Sequence, residues 1–229
     1  MSASQVSPPS KRRSAQREKT RRQLLEFGRK AFARRGHAGA NLKEDILLPA
    51  GVSVGSFYYQ FRDKTDLFLA ILEEHGTTFR RMIHAANRPR EGMDPEQVAR
   101  HSFETVFDIA EENADLFHIM LRERESEDDR VREFLRDGRR GWTQGLMEDY
   151  RTMLAGADVA DEDLEMAAEL VQSMTFGLIV QFLGLTREEQ RRERSRLIEG
   201  LVRFSLGGLG ALFGVHAADR RPILGKDSQ

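Results

Sequence analysis

A stretch without charge between Glu169 and Arg187 is the feature that most constrains the fold of this chain. Its apolar residues cover every side of a helix instead of one stripe, so such a helix must be buried all round. They are Leu170, Val171, Met174, Phe176, Leu178, Ile179, Val180, Phe182 and Leu183. We expect one side to pack on the chain's own core and the other on a partner subunit. A membrane span is the rival interpretation, but Gln172 and Gln181 interrupt the stretch, and we predict no membrane contact.

The remaining sequence also favours helices. Cap residues followed by apolar residues at helical spacing recur along the chain, and no run of alternating β-branched residues is long enough for a strand. Gly36 is predicted to cap the end of the first helix, and Pro49 is expected to disfavour the α conformation at Leu48. The predicted helix starts are Asn41, Ser53, Asp63, Asp94, Ser126, Asp161 and Thr186. The sequence therefore predicts an all-α fold of about nine helices. The predicted helices cover residues 17–35, 42–48, 54–60, 64–87, a segment that begins at Pro95, and residues 115–123, 127–154, 162–183 and 187–213.

Charge divides the chain into a basic and an acidic part. The net charge is −1, but residues 1–72 carry 14 Lys and Arg against 6 Asp and Glu, whereas the remaining residues carry 22 against 31. This asymmetry favours a polyanionic partner for the basic end. The chain has no cysteine, which excludes disulfides and thiolate metal sites and favours a reducing compartment. The six histidines show no metal-ligand spacing, and residues 1–10 lack an apolar signal segment. We predict a cytoplasmic protein without metal or cofactor.

The segment around Ser53 has two incompatible interpretations. Gly51 to Gly55 spells G-x-S-x-G, which would make Ser53 the nucleophile of a serine hydrolase. That motif needs a preceding strand and an oxyanion loop, and the surrounding sequence is helical. The other interpretation is a tight turn at Gly51 followed by a short helix that Ser53 caps. We favour the second interpretation and predict no enzyme, with the hydrolase as an alternative.

Two short helices joined through Gly51 form a helix-turn-helix arrangement. Val52 and Phe57 are expected to turn inward, while five residues remain near the exposed N-terminal face of the second helix: Ser53, Val54, Ser56, Tyr58 and Tyr59. In a helix-turn-helix this face enters the major groove of DNA. Tyrosine hydroxyls bind phosphates, and Gly55 permits a close backbone approach.

Residues 17 to about 72 closely resemble the DNA-binding head of the TetR family of bacterial transcriptional regulators. The residues that carry the resemblance are Gly51-Val52-Ser53-Val54-Gly55-Ser56-Phe57-Tyr58-Tyr59, Phe61, Asp63-Lys64 and Leu67-Phe68. The resemblance implies base contacts by Val54, Gly55 and Ser56. It also implies phosphate contacts by Tyr58, Tyr59 and Lys64, with supporting contacts from Asn41 and Lys43. The sequence departs from the family at Gln60, where many members have histidine, and at Leu47-Leu48-Pro49, where small and polar residues are usual.

Four regions are predicted from composition and from the resemblance. Residues 1–16 are expected to be a disordered basic arm, whose Arg12 and Arg13 follow the DNA backbone or enter a minor groove. Residues 17–72 form the helix-turn-helix domain, and residues 73–213 form a helical ligand-binding and dimerisation domain. Residues 214–229 are expected to be a flexible tail.

The resemblance implies a ligand-responsive regulator, a repressor that a hydrophobic small molecule releases from a palindromic double-stranded operator. Its homodimer is expected to form through the last two helices, and the helix over residues 64–87 is the expected transmitter. A DNA-independent binder of apolar ligands is a further alternative. The residues predicted to bind the ligand are large apolar side chains with two polar anchors. They are Phe107, His118, Met120, Trp142, Gln172 and Phe176.

Overall fold

The computed structural model describes residues 9–88, 92–154 and 159–213. Within these ranges the chain forms nine helices and no strand, which confirms the predicted all-α fold. The helices lie in two compact units. Met1–His75 and His118–Phe134 form the head unit, and Gly76–Phe117 and Leu135–Gln229 form the second unit. The predicted boundary between residues 72 and 73 stays a prediction.

Helix α1 spans Pro9–Gly39, with a kink at Gly36, where a backbone φ of 74° ends the regular helix. Glycine adopts this left-handed conformation without steric cost, in agreement with the C-cap predicted there. The helix begins earlier than predicted, because residues 9–16 of the expected disordered arm are helical. Residues 1–8 and the predicted tail at residues 214–229 lie outside the described residues.

Helix α2 consists of a π-helical segment, Leu42–Leu47, continued by Leu48–Ala50. Proline was expected to end the helix at Leu48, and this expectation is wrong because Leu48 is α-helical. The wider π turn explains the difference: the amide of Leu48 donates to the carbonyl of Lys43, and the amide of Val52 donates to that of Leu47. These bonds reach back five residues and pass over Pro49, which has no amide to donate.

Helix α3 spans Val54–Tyr58, and α4 spans Lys64–Asn87. Asp63 caps α4, as predicted, by accepting the amide of Asp66 at 2.7 Å. The core of the head unit consists of buried apolar side chains that α1 to α4 contribute: Leu24, Phe32, Ile46, Phe57, Phe61, Leu67 and Phe68. The edge of the Phe68 ring meets Phe32, with 5.0 Å between the ring centroids. Phe57 is the residue of α3 that is buried in this core.

The remaining helices are α5, Pro95–Glu112, α6, Ala114–Arg122, α7, Asp129–Met153, α8, Asp161–Leu183, and α9, Arg187–Leu212. A 3₁₀ turn, Glu123–Glu125, connects α6 to α7. The predicted caps Asp94 and Thr186 both form capping boxes. Ser126 was predicted to start α7, but Asp128 accepts the amide of Arg130 there. Asp161 was predicted to start α8 and is its first residue, with Ala160 as the N-cap.

In the second unit α8 packs on α9, and α5 packs on both. The connection between α8 and α9 is short, and a side-chain hydrogen bond links the two helices across it. The side chain of Gln190, in the first turn of α9, is buried and donates to the carbonyl of Phe182 at 3.1 Å. This bond satisfies one of the carbonyls that the end of α8 leaves without a helical partner.

Candidate nucleic-acid interface and ligand cavity

Helix α3 presents one buried and several exposed residues. Gly51 has a φ of 64° and turns the chain from α2 toward α3, and Phe57 is fully buried beneath the helix. Tyr58 and Tyr59 are 58% and 64% exposed, and Val54 is also exposed. A Cβ atom on Gly55 would meet no atom within 4 Å, so this side of the backbone is open. The predicted base and phosphate contacts of α3 therefore lie together on one accessible surface.

The hydroxyl of Ser53 serves as a helix cap. It accepts the amide of Ser56 at 3.2 Å and donates to the Ser56 hydroxyl at 2.9 Å. The segment that precedes it is helix α2, not the strand that a nucleophile elbow needs. These contacts favour the helix-turn-helix interpretation of the G-x-S-x-G pattern.

Asn41 and Lys43 lie exposed at the start of α2. The side-chain oxygen of Asn41 accepts the amides of Lys43 and Glu44 at 2.9 and 3.0 Å. Asn41 thus caps α2, and its amide nitrogen remains a donor on the outer surface. Asp45 pairs with the guanidinium of Arg35 at 3.0 Å, so part of the acidic charge of α2 is neutralised.

Lys64 is half-buried and has protein partners. Its ammonium donates to the carbonyls of Ala40 and Ala38 at 2.8 and 3.2 Å. Burial lowers the pKa of Lys64. The sequence suggested that a phosphate would offset the unfavourable position of a cation in the first turn of α4. In the structure the carbonyls of Ala38 and Ala40 accept hydrogen bonds from this cation instead. The phosphate contact of Lys64 stays a prediction.

The first turns of α1 lie beside the end of α3. The guanidinium carbon of Arg17 lies 4.6 Å from the centroid of the Tyr59 ring, and that of Arg21 lies 4.9 Å from the centroid of Phe61. Gln60 donates its side-chain amide to the carbonyl of Arg17 at 3.0 Å. Arg13 is exposed one turn earlier, and the side chain of Arg12 lies outside the described residues.

A set of polar contacts, here called the clasp, joins His118–Phe134 to α1 and to the start of α4 within the head unit. The carboxylate of Glu123 accepts the amide of His37 at 2.8 Å. The His37 ring and Asp128 both lie within hydrogen-bond distance, 2.9 Å, of the Thr65 hydroxyl. Arg130 pairs with Asp63 at 3.0 Å. Burial lowers the pKa of His37, and the nearby Lys64 lowers it further.

A cavity of about 270 Å³ lies in the second unit between α4 and α7. It combines apolar side chains and glycines with a polar cluster. Its lining residues are Arg80, Arg81, Ile83, His84, Asn87, Gly141, Trp142, Gly145, Leu146, Glu148 and Asp149. The Asp149 carboxylate accepts from Asn87 at 2.5 Å and lies 3.0 Å from Nδ1 of His84. Burial raises the pKa of Asp149, although both partners favour its charged form.

The six residues predicted to bind ligand have different surroundings, and their binding of a ligand stays a prediction. Within the described residues, Trp142 is the one of the six that lines this cavity. Gln172 contacts the Thr143 hydroxyl at 3.4 Å, and Phe176 stacks on Phe117. Phe107 is buried against Phe182, and Met120 is half-buried. His118 is exposed and belongs to the head unit.

Sequence reasoning missed the polar cluster of the cavity, His84, Asn87 and Asp149. The sequence did contain one signal for the cavity. Glycine weakens helices, yet Gly141 and Gly145 lie about one turn apart in the same predicted helix. A Cβ atom at either glycine would meet no atom within 4 Å. The missing side chains leave room along this part of α7.

The outer surface of α8 and α9, here called the apolar face, exposes large apolar side chains. Leu170 is 57% and Phe204 is 70% exposed, and Met166 is also exposed. A hollow of about 350 Å³ beside Phe204 is lined by residues of both helices: Met174, Leu178, Arg196, Leu197, Gly200, Leu201 and Phe204. The opposite side of α8 is buried, for example at Ala168, Ile179 and Phe182. A single chain therefore buries one side of α8 and leaves the other side exposed.

Helix α8 is also the one helix, among the residues with described positions, that is long and apolar enough to cross a membrane. Its mean hydropathy reaches 1.4, a value that core helices of globular proteins also attain. In the same described residues, no cluster of three or more His, Asp or Glu side chains is arranged to hold a metal ion.

Comparison with known proteins agrees with this geometry. Residues 24–71 match the family model of bacterial regulatory proteins, tetR family. A putative transcriptional regulator from Pseudomonas aeruginosa PAO1 superposes with a TM-score of 0.70 and 20% identity, over 86% of this chain and 94% of that chain.

Two other solved structures have a similar fold. The fatty acid degradation regulator FadR from Bacillus halodurans has a TM-score of 0.68 and 18% identity, over 83% of this chain and 96% of its own. GusR from Salmonella enterica has a TM-score of 0.65 and 22% identity, over 85% of this chain and 95% of its own. Residues 24–71 thus match the tetR family model, and the described chain shares the all-helical fold of these solved structures.

Proposed function

We propose that this protein is a homodimeric, ligand-responsive repressor that binds a palindromic operator in the cytoplasm. The observation that carries the proposal is the tetR-family head, in which α3 exposes its N-terminal face and α1 places Arg17 beside Tyr59 at the end of α3. In a dimer, two such helices would enter successive major grooves about 34–36 Å apart.

The exposed groups around α3 suit the two kinds of DNA contact. The Val54 side chain, the open backbone at Gly55 and the Ser56 hydroxyl would contact base edges. The hydroxyls of Tyr58 and Tyr59 would donate to phosphates, with Asn41 and Lys43 supporting from α2. A phosphate contact by Lys64 would use the one ammonium hydrogen that its two carbonyl partners leave available. Arg12 and Arg13 would add phosphate contacts that carry little sequence information.

The homodimer would form through the apolar face. Exposed Leu170 and Phe204 supply apolar area, and the hollow beside Phe204 can receive a side chain from a second copy. A two-fold symmetric interface brings the same patch of both subunits together, so Phe204 of each chain would meet the hollow of the other. Burying both sides of the second half of α8 would also account for the absence of charged residues after Glu169.

The effector would be a mostly hydrophobic molecule with a polar group, bound in the cavity between α4 and α7. Trp142 and Leu146 offer apolar contact, and His84, Asn87 and Asp149 can hydrogen-bond a polar group. Both helices continue into the head unit: α4 carries Thr65, and α7 carries Arg130 of the clasp. A ligand that displaces either helix would therefore act on the elements that support α3, with coupling of about 1–3 kcal/mol.

The proposal is tested by fluorescence anisotropy on a labelled duplex that wild-type protein selects from a random-sequence pool. We expect salt-dependent binding that prefers this duplex to a scrambled one, and a loss of at least about tenfold in Tyr58→Ala. Leu121→Ala is the matched control, since Leu121 is an exposed apolar residue of the head unit outside α3. Equal binding to both duplexes would contradict DNA recognition and favour a DNA-independent binder of apolar ligands.

Release by an effector is measured in the same assay with a panel of hydrophobic molecules. Fatty acids belong in this panel because the similar protein from Bacillus halodurans is a fatty acid degradation regulator. An active compound should lower operator affinity, and Trp142→Ala should weaken its effect. Operator affinity that no compound changes would count against ligand control while leaving the DNA result intact.

A further inference from the structure

The N-terminal turns of α1 contain a cation that is held in position beside the recognition helix. Arg17 is exposed, and its guanidinium lies over the ring of Tyr59 at 4.6 Å from the centroid. Within the described parts of the chain, no carboxylate forms an ion pair with Arg17. Its charge is therefore available to a partner outside the protein.

The contact with the face of the Tyr59 ring uses the charge of the Arg17 guanidinium and no oxygen or nitrogen acceptor. An aromatic ring attracts a guanidinium through its π face, whereas all five N–H groups point outward within the guanidinium plane. A guanidinium held in this way keeps the fork of donors that matches two phosphate oxygens. Tyr59 thus orients Arg17 without occupying its hydrogen-bond donors.

Gln60 holds the backbone of α1 at the same point. Its side-chain amide donates to the carbonyl of Arg17 at 3.0 Å, across 43 residues of sequence. Arg21, one turn further along α1, lies over the ring of Phe61. Residues 59–61 therefore fix this turn of α1 through two cation–π contacts and one hydrogen bond. Gln60 also occupies the position where the sequence departs from its family.

We infer that Arg17 contacts a phosphate of the operator backbone and that Gln60 is its positioning residue. This inference rests on the proposed DNA-binding function. The phosphate would lie beside the one that Tyr59 contacts, since the Tyr59 ring carries the guanidinium. Arg17 belongs to a regular helix, α1, which also continues back through residues 9–16 of the expected arm. Because less freedom is lost on binding, a prepositioned cation gains more affinity than a mobile one.

The experiment measures the salt dependence of operator affinity for Arg17→Gln, using the selected duplex described above. The slope of log K against log salt should become shallower by about 0.9, the value for one phosphate contact on duplex DNA. Affinity at low salt should fall about tenfold. The matched control is Arg22→Gln, an exposed arginine of the same helix about 140° around its axis from Arg17. This control should change the slope much less.

Gln60→Leu tests the positioning role. This change keeps the size of the side chain and removes the amide, so it should lower affinity and reduce the further effect of Arg17→Gln in the double variant. Additive effects of the two substitutions would contradict positioning by Gln60. Thermal unfolding of each variant checks that the head remains folded.

The outcomes separate this inference from the proposed function. If the pool yields an operator and Arg17→Gln behaves like Arg22→Gln, the inference is overturned and the proposed function stands. If the pool yields no enriched sequence with wild-type protein, the proposed function fails, and the inference fails with it.

Discussion

The surface around α3 and the apolar face of α8 and α9 both expose large side chains, but these side chains differ in chemistry. Tyr58 and Tyr59 carry hydroxyls, and Tyr59 lies beside Arg17, whereas Leu170 and Phe204 have no polar side-chain atom. A phosphate keeps its hydration unless donors replace it, and an apolar surface gains most by meeting another apolar surface. Exposure alone does not identify a partner; the polar atoms at the tips of the exposed side chains do.

The two units also differ in how they hold their segments together. The clasp of the head unit joins segments far apart in sequence through buried polar atoms, as between His37 and Glu123. In the second unit, α8 and α9 are neighbours in sequence and pack largely through apolar residues such as Ile179 and Val202. Substitutions in the head should therefore act on stability and DNA binding, and those on the apolar face should act on assembly.

The largest expected effect is the loss of assembly in Phe204→Asp. A charge on the apolar face would have to be buried without a partner, so the dimer dissociation constant should rise about 100-fold or more. Sedimentation velocity measures this change, and circular dichroism should show unchanged helix content. Met82→Asp is the control, because Met82 is an exposed apolar residue of α4. A dimer that survives in Phe204→Asp would remove the distinction between the two surfaces.

Breaking the clasp should lower the stability of the head. Glu123→Ala leaves the amide of His37 without its acceptor, which costs about 1–3 kcal/mol of unfolding free energy. Urea unfolding measures the loss, with the exposed neighbour Glu125→Ala as control. The dimer should persist in both variants. If Glu123→Ala dissociates the dimer as strongly as Phe204→Asp, the two units do not divide stability and assembly in this way.

The clasp should also make stability depend on pH. Burial lowers the pKa of His37 in the folded protein below its ordinary value of 6.5. Below pH 6.5 the unfolded chain then binds more protons at this site, so stability falls with falling pH by at most about 1.4 kcal/mol per pH unit. Urea unfolding between pH 7.5 and about pH 5.5, compared with His37→Gln, isolates this contribution. An identical pH dependence in the variant would show that other groups cause it.

The smallest expected effect is a gain in stability in Gly145→Ala. A Cβ atom at this position would meet no atom within 4 Å, and alanine favours a helix by about 1 kcal/mol over glycine. The midpoint temperature of thermal unfolding should therefore rise slightly. The added methyl group should also narrow the cavity and weaken the binding of an effector. Gly138→Ala has the same open surroundings and does not line the cavity, so it should stabilise α7 without affecting the ligand. Equal effects of both variants on ligand binding would contradict the cavity as the effector site.

Local sequence patterns predicted much of the head. The caps at Asn41 and Ser53 follow from short-range hydrogen bonds, and burial of Phe57 follows from its position in the helix. The general preferences of proline did not predict that α2 continues through Pro49. In the π turn the amides of Leu48 and Val52 supply the hydrogen bonds, so the missing amide of Pro49 is not needed. The contacts of Arg17 and Arg21 with residues 59–61 were also not predictable, because they join positions far apart in sequence.

The candidate sites were less predictable for the same reason. The clasp and the cavity bring together residues far apart in sequence, such as Asn87 and Asp149, and no spacing rule connects them. Lys64 looked like a free cation in sequence, and only the folded chain brings the carbonyl of Ala40 to it. Aromatic and apolar residues such as Phe107 pack in the core, where sequence alone does not separate core from cavity.

The hydrogen bond between Gln190 and Phe182 has a consequence for the order of refolding. It closes a loop of 8 residues, whereas the bond between His37 and Glu123 joins positions 86 residues apart. Short loops cost less entropy to close and form sooner. On dilution from denaturant, we expect the α8–α9 hairpin to form while the clasp is still open. Two chains would then meet through their hairpins before either head has acquired the shape that reads DNA.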